Sequence, residues 1–259
     1  MTASAKAFVR RLLPRRIQPH RIMSGPLRGF LISTSWHDYP AAITGWTERP
    51  LLDWFEHSVK PGQTWLDVGA HYGYTAIALA RLVGPCGRVF AFEPMLSTAG
   101  CVARTRLLNR LSQITVLPVA LGAAGALRPV ELCTTRGMAD STLGGGGGSD
   151  EQVELWRERI LVAGFDWLWT QVCGASEQID GVKVDVQGME LDVLRGMASL
   201  LGRWRPKLVV EVHRGVDRSE FLGVIEALGY SRQAVPIEPV SGEFEPQYID
   251  DRSYSFQPS

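Results

Sequence analysis

One stretch decides the fold of this chain: Thr64–Tyr74, which reads TWLDVGAHYGY. A short run of strand character ends in an acid, Gly69 and Gly73 bracket a loop, and an apolar run with helical periodicity begins at Tyr74. A backbone that passes close to a ligand and then turns into a helix has no room for side chains at its tightest points. The N–H groups at the helix start face whatever the loop holds. The stretch therefore predicts a strand–loop–helix nucleotide cradle.

Two acids indicate which cofactor this cradle holds. Glu93 ends the next predicted strand, Arg88–Glu93, where an acid can accept hydrogen bonds from both hydroxyls of a ribose. The loop lacks the G-x-G-x-x-G pattern of a dinucleotide site. Asp67, two residues before Gly69, would repel a pyrophosphate and attract a cationic amino or sulfonium group. We therefore predict S-adenosylmethionine rather than NAD, with a tight turn that holds no ligand as the alternative.

Length and composition bound the class of protein. The 259 residues, 45% of them hydrophobic, can bury one sizeable core. The 27 basic and 27 acidic residues balance, so the overall charge favours neither nucleic acid nor a membrane as partner. The four cysteines are widely spaced and no signal peptide precedes them, which predicts reduced thiols and a cytoplasmic location. No apolar run approaches the roughly 20 residues of a transmembrane helix.

Two segments stand apart from the predicted catalytic domain, residues 45–259. Residues 1–44 form a basic N-terminal arm, which could be a mobile tail, dock on its own domain or on a second subunit of a homo-oligomer, or contact a membrane surface. Residues 134–160 form a Gly-rich excursion that contains Gly144–Gly148. Because no Lys-Ser or Lys-Thr follows these glycines, they do not form a phosphate loop. We expect a flexible hinge or lid, with an inert linker as the alternative.

The rest of the chain alternates between strand and helix patterns. Pro118 removes a backbone donor from the predicted strand Ile114–Leu121, so this strand should lie at a sheet edge or carry a bulge. The other predicted elements are helices from Thr47, over Ser97–Asn109, near Glu151–Arg159, over Met189–Leu201 and over Ser219–Leu228, and strands over Pro129–Cys133, Gly181–Val186, Lys207–His213, Ala234–Ile237 and near Tyr248. This alternation predicts an α/β fold with a doubly wound, mostly parallel sheet, to which the late strands add an antiparallel edge.

Several sequence blocks, in this order, resemble the FkbM family of S-adenosylmethionine-dependent methyltransferases. The blocks are Asp67–Ala70 with Gly73, Phe92–Pro94, Val119–Gly122, Val182–Glu190 with Leu194 and Gly196, and Glu211–His213. The resemblance implies a Rossmann-like class I methyltransferase fold that acts on a hydroxyl group of a sugar or a polyketide-type metabolite. It also implies the residues of the cofactor site, which are Glu48, Asp67, Gly69, Ala70, Gly73, Glu93, Pro94 and Ala120.

Asp185, Glu211 and His213 are the candidate catalytic residues, because each falls at the carboxyl end of a predicted strand. His213 has the pKa best suited to base chemistry near neutral pH, and Glu211 could orient it. The alternative for His213 is a hydrogen-bonded structural role. Asp185 would serve the acceptor side as a base or as a metal ligand.

Three departures from the family pattern affect this site. Gln187 stands where the family usually has Glu, His71 where Asn is frequent, and Ala123 where an acid is common. Gln187 removes one negative charge next to Asp185, which argues against a metal site built on two adjacent carboxylates. The sequence leaves the use of a divalent metal open, and we expect metal-independent transfer.

The sequence thus predicts an O-methyltransferase that acts on a small molecule, a sugar or glycan, or a polyketide-type metabolite. Methyl transfer to oxygen requires alignment of the two reacting atoms and removal of the hydroxyl proton. Two alternatives stay open: a cofactor-binding partner subunit without activity, and a methyltransferase that acts on a macromolecule through the basic arm. The balanced charge argues against nucleic acid as that macromolecule.

Overall fold

The computed structural model describes residues 12–123, 125–135, 141–143, 155–172, 177–239 and 246–259. Most strands of its central sheet come from the stretches with the strongest apolar patterns. They are β3 (Thr64–Val68), β4 (Arg88–Phe92), β5 (Ile114–Leu117), β10 (Gly181–Val184), β11 (Lys207–Val212), β12 (Val235–Pro236) and β13 (Arg252–Phe256). The seven strands lie in the order β12-β13-β11-β10-β3-β4-β5.

The direction of these strands confirms the predicted fold class. Strands β5, β4, β3, β10 and β11 are parallel, while β13 is antiparallel to both β11 and β12. The connecting helices are α1 (Pro40–Thr44), α2 (Arg49–Ser58), α3 (Tyr74–Val83), α4 (Leu96–Leu108), α5 (Phe165–Val172), α6 (Glu190–Gly196), α7 (Ala198–Trp204) and α8 (Arg218–Ala227). None of these helices is long and apolar enough to cross a bilayer.

Both faces of the sheet are buried, which explains why its parallel strands are almost continuously apolar. In β3, Trp65 packs with α1–α4 on one face, while Leu66 and Val68 pack with α5–α8 on the other. This alternation follows the two-residue period of a strand. The chain is therefore wound on both sides of the sheet, and the loops at the carboxyl ends of β3, β4, β10 and β11 share one edge.

The part of the predicted arm that the structure describes is packed against this domain. Strands β1 (Gln18–Arg21) and β2 (Leu31–Thr34) form an antiparallel pair. Ile22, Leu27 and Ile32 are fully buried in the same core as α2 and α3. This packing agrees with the alternative in which the arm docks on its own domain. The domain boundary at residue 44 stays a prediction. Residues 1–11 lie outside the described residues.

A second sheet corrects one sequence-based expectation. Its strands are β6 (Ala120–Gly122), β7 (Arg128–Thr135), β8 (Ser141–Leu143) and β9 (Leu155–Gly164), in the order β6-β9-β7-β8. The helix predicted near Glu151–Arg159 is wrong in its described part, because residues 155–159 belong to β9. Ile160 and Val162 point inward and Leu161 outward, a two-residue period that a helix does not have. The predicted hinge or lid at Gly144–Gly148 lies outside the described residues.

Other corrections concern the limits of elements. Pro118 splits the predicted strand Ile114–Leu121 into β5 and β6, and β5 is indeed an edge strand of the central sheet. The predicted helix Met189–Leu201 is two helices that meet at Met197. The strand expected near Tyr248 is instead β13, a few residues later.

Candidate active site

A cavity of about 350 Å³ opens where β3, β4, β10 and β11 end. This is the edge at which open α/β sheets bind their ligands. Six of the residues predicted for the cofactor line the cavity, namely Glu48, Gly69, Ala70, Glu93, Pro94 and Ala120. Asp185 and Glu211 line it as well, whereas Asp67, Gly73 and His213 do not. The structure thus brings most of the predicted site residues to one cavity.

Gly69 and Gly73 are required by the backbone of the cradle. Gly69 has a φ of 83°, and a Cβ atom there would lie 1.8 Å from the carbonyl oxygen of Asp185. Gly73 has a φ of 89° and precedes the first residue of α3. Both glycines therefore allow a close backbone approach that a side chain would prevent. Their predicted contact with the cofactor stays a prediction.

Asp67 supports the cradle from behind. Its carboxylate is fully buried, accepts a hydrogen bond of 2.7 Å from the hydroxyl of Thr75, and lies 3.3 Å from Nζ of Lys183. Asp67 thus connects β3 to the first turn of α3 and to the neighbouring strand β10. The structure places this predicted cofactor residue one layer away from the cavity, where it can act on a bound cation by its charge.

Lys183 is a central site residue that the sequence analysis did not single out. Its buried Nζ atom donates to the carbonyl oxygen of Gly69 at 3.0 Å and lies 3.2 Å from Oδ2 of Asp185. Burial lowers the pKa of Lys183, but the carboxylates of Asp185 and Asp67 outweigh burial and raise it above its usual value. The ammonium group is therefore charged. A lysine inside the otherwise apolar strand Gly181–Val184 was the available signal.

Glu93 is held at the end of β4 by the backbone. Its two carboxylate oxygens accept hydrogen bonds from the N–H groups of His71, at 3.0 Å, and Met95, at 3.1 Å. The side chain is almost fully buried, and burial raises its pKa to about 8. Glu93 therefore ionises more easily once a ligand brings hydrogen-bond donors or positive charge to it.

The three predicted catalytic residues form one cluster at the ends of β10 and β11. Nε2 of His213 lies 3.5 Å from Oδ1 of Asp185 and 3.4 Å from Oε1 of Glu211. On the other side of the ring, Nδ1 lies 2.6 Å from Oε1 of Glu190, a fully buried carboxylate that the sequence analysis did not assign to the site. Glu190 begins α6, so its contact with His213 depends on packing between distant elements.

The protonation of His213 corrects the expectation that its pKa suits a base near neutral pH. Burial lowers the pKa of the imidazole, but hydrogen bonds to Glu190 and Glu211 and the charge of Asp185 outweigh burial and raise it to about 10. With its pKa raised, the ring favours the protonated form at neutral pH, and this form has no free electron pair with which to accept a proton. The structural alternative, a hydrogen-bonded histidine, describes this arrangement better.

Glu48 faces the cavity from the start of α2. Burial and the charge of Asp185 raise its pKa to about 7.

Glu48, His71 and Gln187 all line the cavity, and they are three of the seven non-glycine residues with positive φ in the described part of the chain. Such conformations persist where the surrounding structure enforces them, and they cluster at functional sites. Glu48 directly precedes α2, and its side chain makes no capping hydrogen bond to this helix.

Solved structures with a similar fold are methyltransferases. Methyltransferase FkbM from Methylobacillus flagellatus KT matches with a TM-score of 0.48 and 17% identity, over 79% of this chain and 50% of that chain. This chain thus spans about half the length of that protein. A SAM-dependent O-methyltransferase from Thermotoga maritima matches with a TM-score of 0.46 and 14% identity, over 80% and 64% of the two chains. Aeropyrum pernix fibrillarin, in complex with S-adenosyl-L-methionine, has a TM-score of 0.44 and 15% identity, over 93% and 82%.

The family model gives the decisive comparison. No curated protein sequence matches this chain at a significant level. The sequence model of the methyltransferase FkbM domain, however, matches residues 67–234, which is well over half of the chain. The match includes the cradle from Asp67 onward, Glu93 and the whole Asp185–Glu211–His213 cluster. The chain therefore belongs to the FkbM family of S-adenosylmethionine-dependent methyltransferases.

Proposed function

We propose that this protein transfers a methyl group from S-adenosylmethionine to a hydroxyl oxygen of a small molecule, such as a sugar or glycan or a polyketide-type metabolite. One observation carries the proposal: Glu48, Asp185 and Glu211 face the same cavity as the Gly69 cradle. A cofactor cradle beside carboxylates that can bind and deprotonate a hydroxyl group is what transfer to oxygen requires.

The residues at the cradle fit this cofactor. Gly69 lines the cavity and lets the loop pass close to the backbone of Asp185, and Glu93 stands where it can accept hydrogen bonds from a ribose. The carboxylates in and behind the wall favour a ligand that carries positive charge. Lys183 is already engaged by Asp67, Asp185 and Gly69, so its charge is directed at the protein rather than at a phosphate.

Transfer can be divided among the residues of this site. The cofactor supplies an activated methyl group, whose transfer breaks the C–S bond, leaves the electron pair on sulfur and forms the new C–O bond. Asp185 and Glu211 orient the acceptor hydroxyl group. Glu48 accepts its proton, because a carboxylate with a pKa near 7 is suited to base chemistry at neutral pH. His213 positions Asp185 and Glu211 through the contacts of its Nε2 atom.

The test is a screen of acceptors with labelled S-adenosylmethionine. Hydroxylated sugars, lipid-linked glycans and polyketides are incubated with the protein, and mass spectrometry locates the label. We expect a methyl ether product. Glu48→Gln should lower kcat by about 10²-fold or more, because the proton acceptor is lost. The matched control is Glu56→Gln on the same helix, whose carboxylate pairs with Arg81 at the surface and which should keep normal activity.

The outcomes separate the alternatives. Tight binding of S-adenosylhomocysteine without transfer to any acceptor would indicate a non-catalytic partner subunit. Label found on nucleic acid or protein instead of small molecules would indicate a macromolecular acceptor. A methylated nitrogen in place of a methyl ether would contradict the assignment of oxygen as the acceptor atom.

A further inference from the structure

We propose that Asp185, Glu211 and His213 bind a divalent cation of the Mn²⁺ and Mg²⁺ class at the acceptor side of the cavity. Each residue offers one ligand atom, and these atoms all lie within 4.8 Å of one another. Two of the ligands are carboxylates, and the third is the Nε2 nitrogen of His213, which releases its proton to solvent when the ion binds. The site itself is independent of the proposed function, whereas its use in methyl transfer rests on that function.

The geometry fits one ion. Nε2 of His213 lies 3.5 Å from the oxygen of Asp185 and 3.4 Å from the oxygen of Glu211. Adjacent ligands of an octahedral ion, each about 2.1 Å from it, lie about 3 Å apart, so only small movements bring these atoms to bonding distance. Asp185 and Glu211 both line the cavity, which leaves the open side of the ion facing the acceptor.

The residues around the ligands already have the arrangement of a second coordination shell. A metal-bound histidine usually donates its other ring N–H to a carboxylate, which fixes the ring. His213 makes this bond from Nδ1 to Oε1 of Glu190 at 2.6 Å, and the second oxygen of Glu190 has no hydrogen-bond partner among the described residues. The side chain of Glu190 is fully buried, and its Oε1 atom also accepts a hydrogen bond of 3.0 Å from the backbone N–H of Gly188, which fixes the carboxylate. The ring is therefore held with Nε2 pointed at Asp185 and Glu211.

The charges of the region favour a further cation. Five carboxylates act on one another and on two basic groups here; the carboxylates are Glu48, Asp67, Asp185, Glu190 and Glu211. The basic groups are Lys183 and His213. Formal negative charge thus exceeds positive charge even with both basic groups protonated. A divalent ion on the cavity side would reduce this excess where the carboxylates are least enclosed by protein.

Gln187 does not exclude this site, contrary to the expectation from the sequence. That expectation assumed that the second carboxylate had to stand next to Asp185 in the chain. The structure supplies it from the neighbouring strand instead, as Glu211. Gln187 has its amide Nε2 atom 3.0 Å from Nε2 of His213, and a half-turn of the amide exchanges its nitrogen and oxygen. Its oxygen is then a fourth group beside the ion.

The ligand set indicates the kind of ion and its use. Carboxylate oxygens and water suit Mg²⁺ and Mn²⁺, and an imidazole favours Mn²⁺ of these two. An ion with open positions can bind the acceptor oxygen and lower the pKa of its hydroxyl group. The cation would therefore select acceptors that present a hydroxyl group, or two adjacent oxygens, to the cluster.

Direct measurement of Mn²⁺ binding tests the site without reference to activity. Mn²⁺ is titrated into the full-length protein and bound ion is followed by electron paramagnetic resonance. We expect one bound ion with a nitrogen coupling in the pulsed spectrum, and His213→Gln should remove this coupling. Glu211→Gln and Glu190→Gln should weaken binding by about 10- to 100-fold, the effect typical of lost ligand or second-shell contacts. Glu48→Gln is the matched control, since it removes one carboxylate from the same cavity but no ligand.

The results that would overturn the proposal are specific. Absence of bound Mn²⁺ at millimolar concentration would do so, as would bound Mn²⁺ without nitrogen coupling. Equal weakening by Glu211→Gln and Glu48→Gln would show a general charge effect instead of ligation. Methyl transfer at full rate in excess chelator, with no Mn²⁺ bound, would remove the cation site and leave the proposed function standing. Bound Mn²⁺ with the nitrogen coupling, but without methyl transfer to any hydroxyl group, would support the cation site and contradict the proposed function.

Discussion

The ammonium group of Lys183 joins the two halves of the site, because it donates to the carbonyl oxygen of Gly69 at 3.0 Å while it lies 3.2 Å from the carboxylate of Asp185. Gly69 belongs to the proposed cofactor cradle and Asp185 to the proposed acceptor side. One buried cation therefore holds the strand ends of β3 and β10 in register. Positioning of the two reactants depends on this register, and positioning carries much of the rate enhancement in a displacement reaction.

Replacement of this cation should destabilise the fold. Lys183→Met leaves the carboxylates of Asp67 and Asp185 without their buried partner, which typically costs about 3–5 kcal/mol. Arg195→Met is the control, since Arg195 pairs with Glu220 at the surface, where a pair contributes at most about 1 kcal/mol. Urea unfolding of both variants measures the difference. A Lys183→Met protein as stable as the parent would show that the buried ion pairs have no structural role.

A methyl group at Gly69 should disrupt the cradle. In Gly69→Ala the Cβ atom would lie 1.8 Å from the carbonyl oxygen of Asp185, the residue that follows β10, and the φ of 83° would add strain. We expect a loss of about 3 kcal/mol or more in unfolding free energy, together with loss of cofactor binding. Gly202→Ala in α7 is the matched change, because nothing lies within 4 Å of its Cβ position. That variant should be as stable as the parent or slightly more stable, since alanine favours a helix.

Glu93 should determine the affinity for the cofactor. Glu93→Ala removes hydrogen bonds to a charged acceptor and should weaken binding of S-adenosylhomocysteine by about 1.5–3 kcal/mol. Glu177→Ala serves as control, because Glu177 pairs with Arg88 at the opposite end of the same strand. Calorimetry with both variants and with NAD measures the effect. Binding of NAD, without binding of S-adenosylhomocysteine, would contradict the assignment of the cradle.

The sequence predicts the elements that carry the site because each strand end is marked locally. Asp67, Glu93 and Asp185 each stand at or just after the end of an apolar run, and parallel strands bring such ends to one edge. The strand β9 was missed, because the charged residues of Glu151–Arg159 suit a helix as an isolated segment. Strand β9 forms because it pairs with β7 over eight residues, and local propensity does not reveal such pairing.

The roles of individual side chains were harder to predict than the strands. Lys183 reaches Gly69 across 114 residues of sequence, and Glu190 reaches His213 across 23. These contacts depend on packing between strands and helices, so residue spacing does not reveal them. The same contacts set the protonation of His213, which is why a histidine that looks like a base in the sequence is held as a cation in the ligand-free protein.

The stability of the protein should depend on pH through Glu93. Burial raises its pKa from 4.5 to about 8, so the folded state binds a proton that the unfolded state has already released between these values. The contribution of Glu93 to the unfolding free energy is therefore largest below about pH 4.5, and it decreases as the pH rises toward about 8. Urea unfolding across this range measures the slope. Glu93→Gln cannot ionise, so it should flatten the slope; an unchanged slope would show that other groups cause it.

The pH dependence of the reaction should reveal the proton acceptor. Glu48 must be ionised to accept a proton, and its pKa in the free protein is raised to about 7, first by burial and next by the charge of Asp185. We therefore expect kcat/KM to rise with pH up to about 7 and then to level off, because kcat/KM reports groups of the free enzyme. Glu48→Gln should lose this rising limb of the pH profile, and its rate should fall by about 10²-fold or more. Glu56→Gln should keep both the limb and the rate.

Glu211→Gln removes a neighbouring negative charge that helps to raise the pKa of Glu48, so in that variant the limb should move to lower pH. If the residual activity of Glu48→Gln kept the limb at the same pH, Glu48 would not be the proton acceptor, and Asp185 would be the next residue to test.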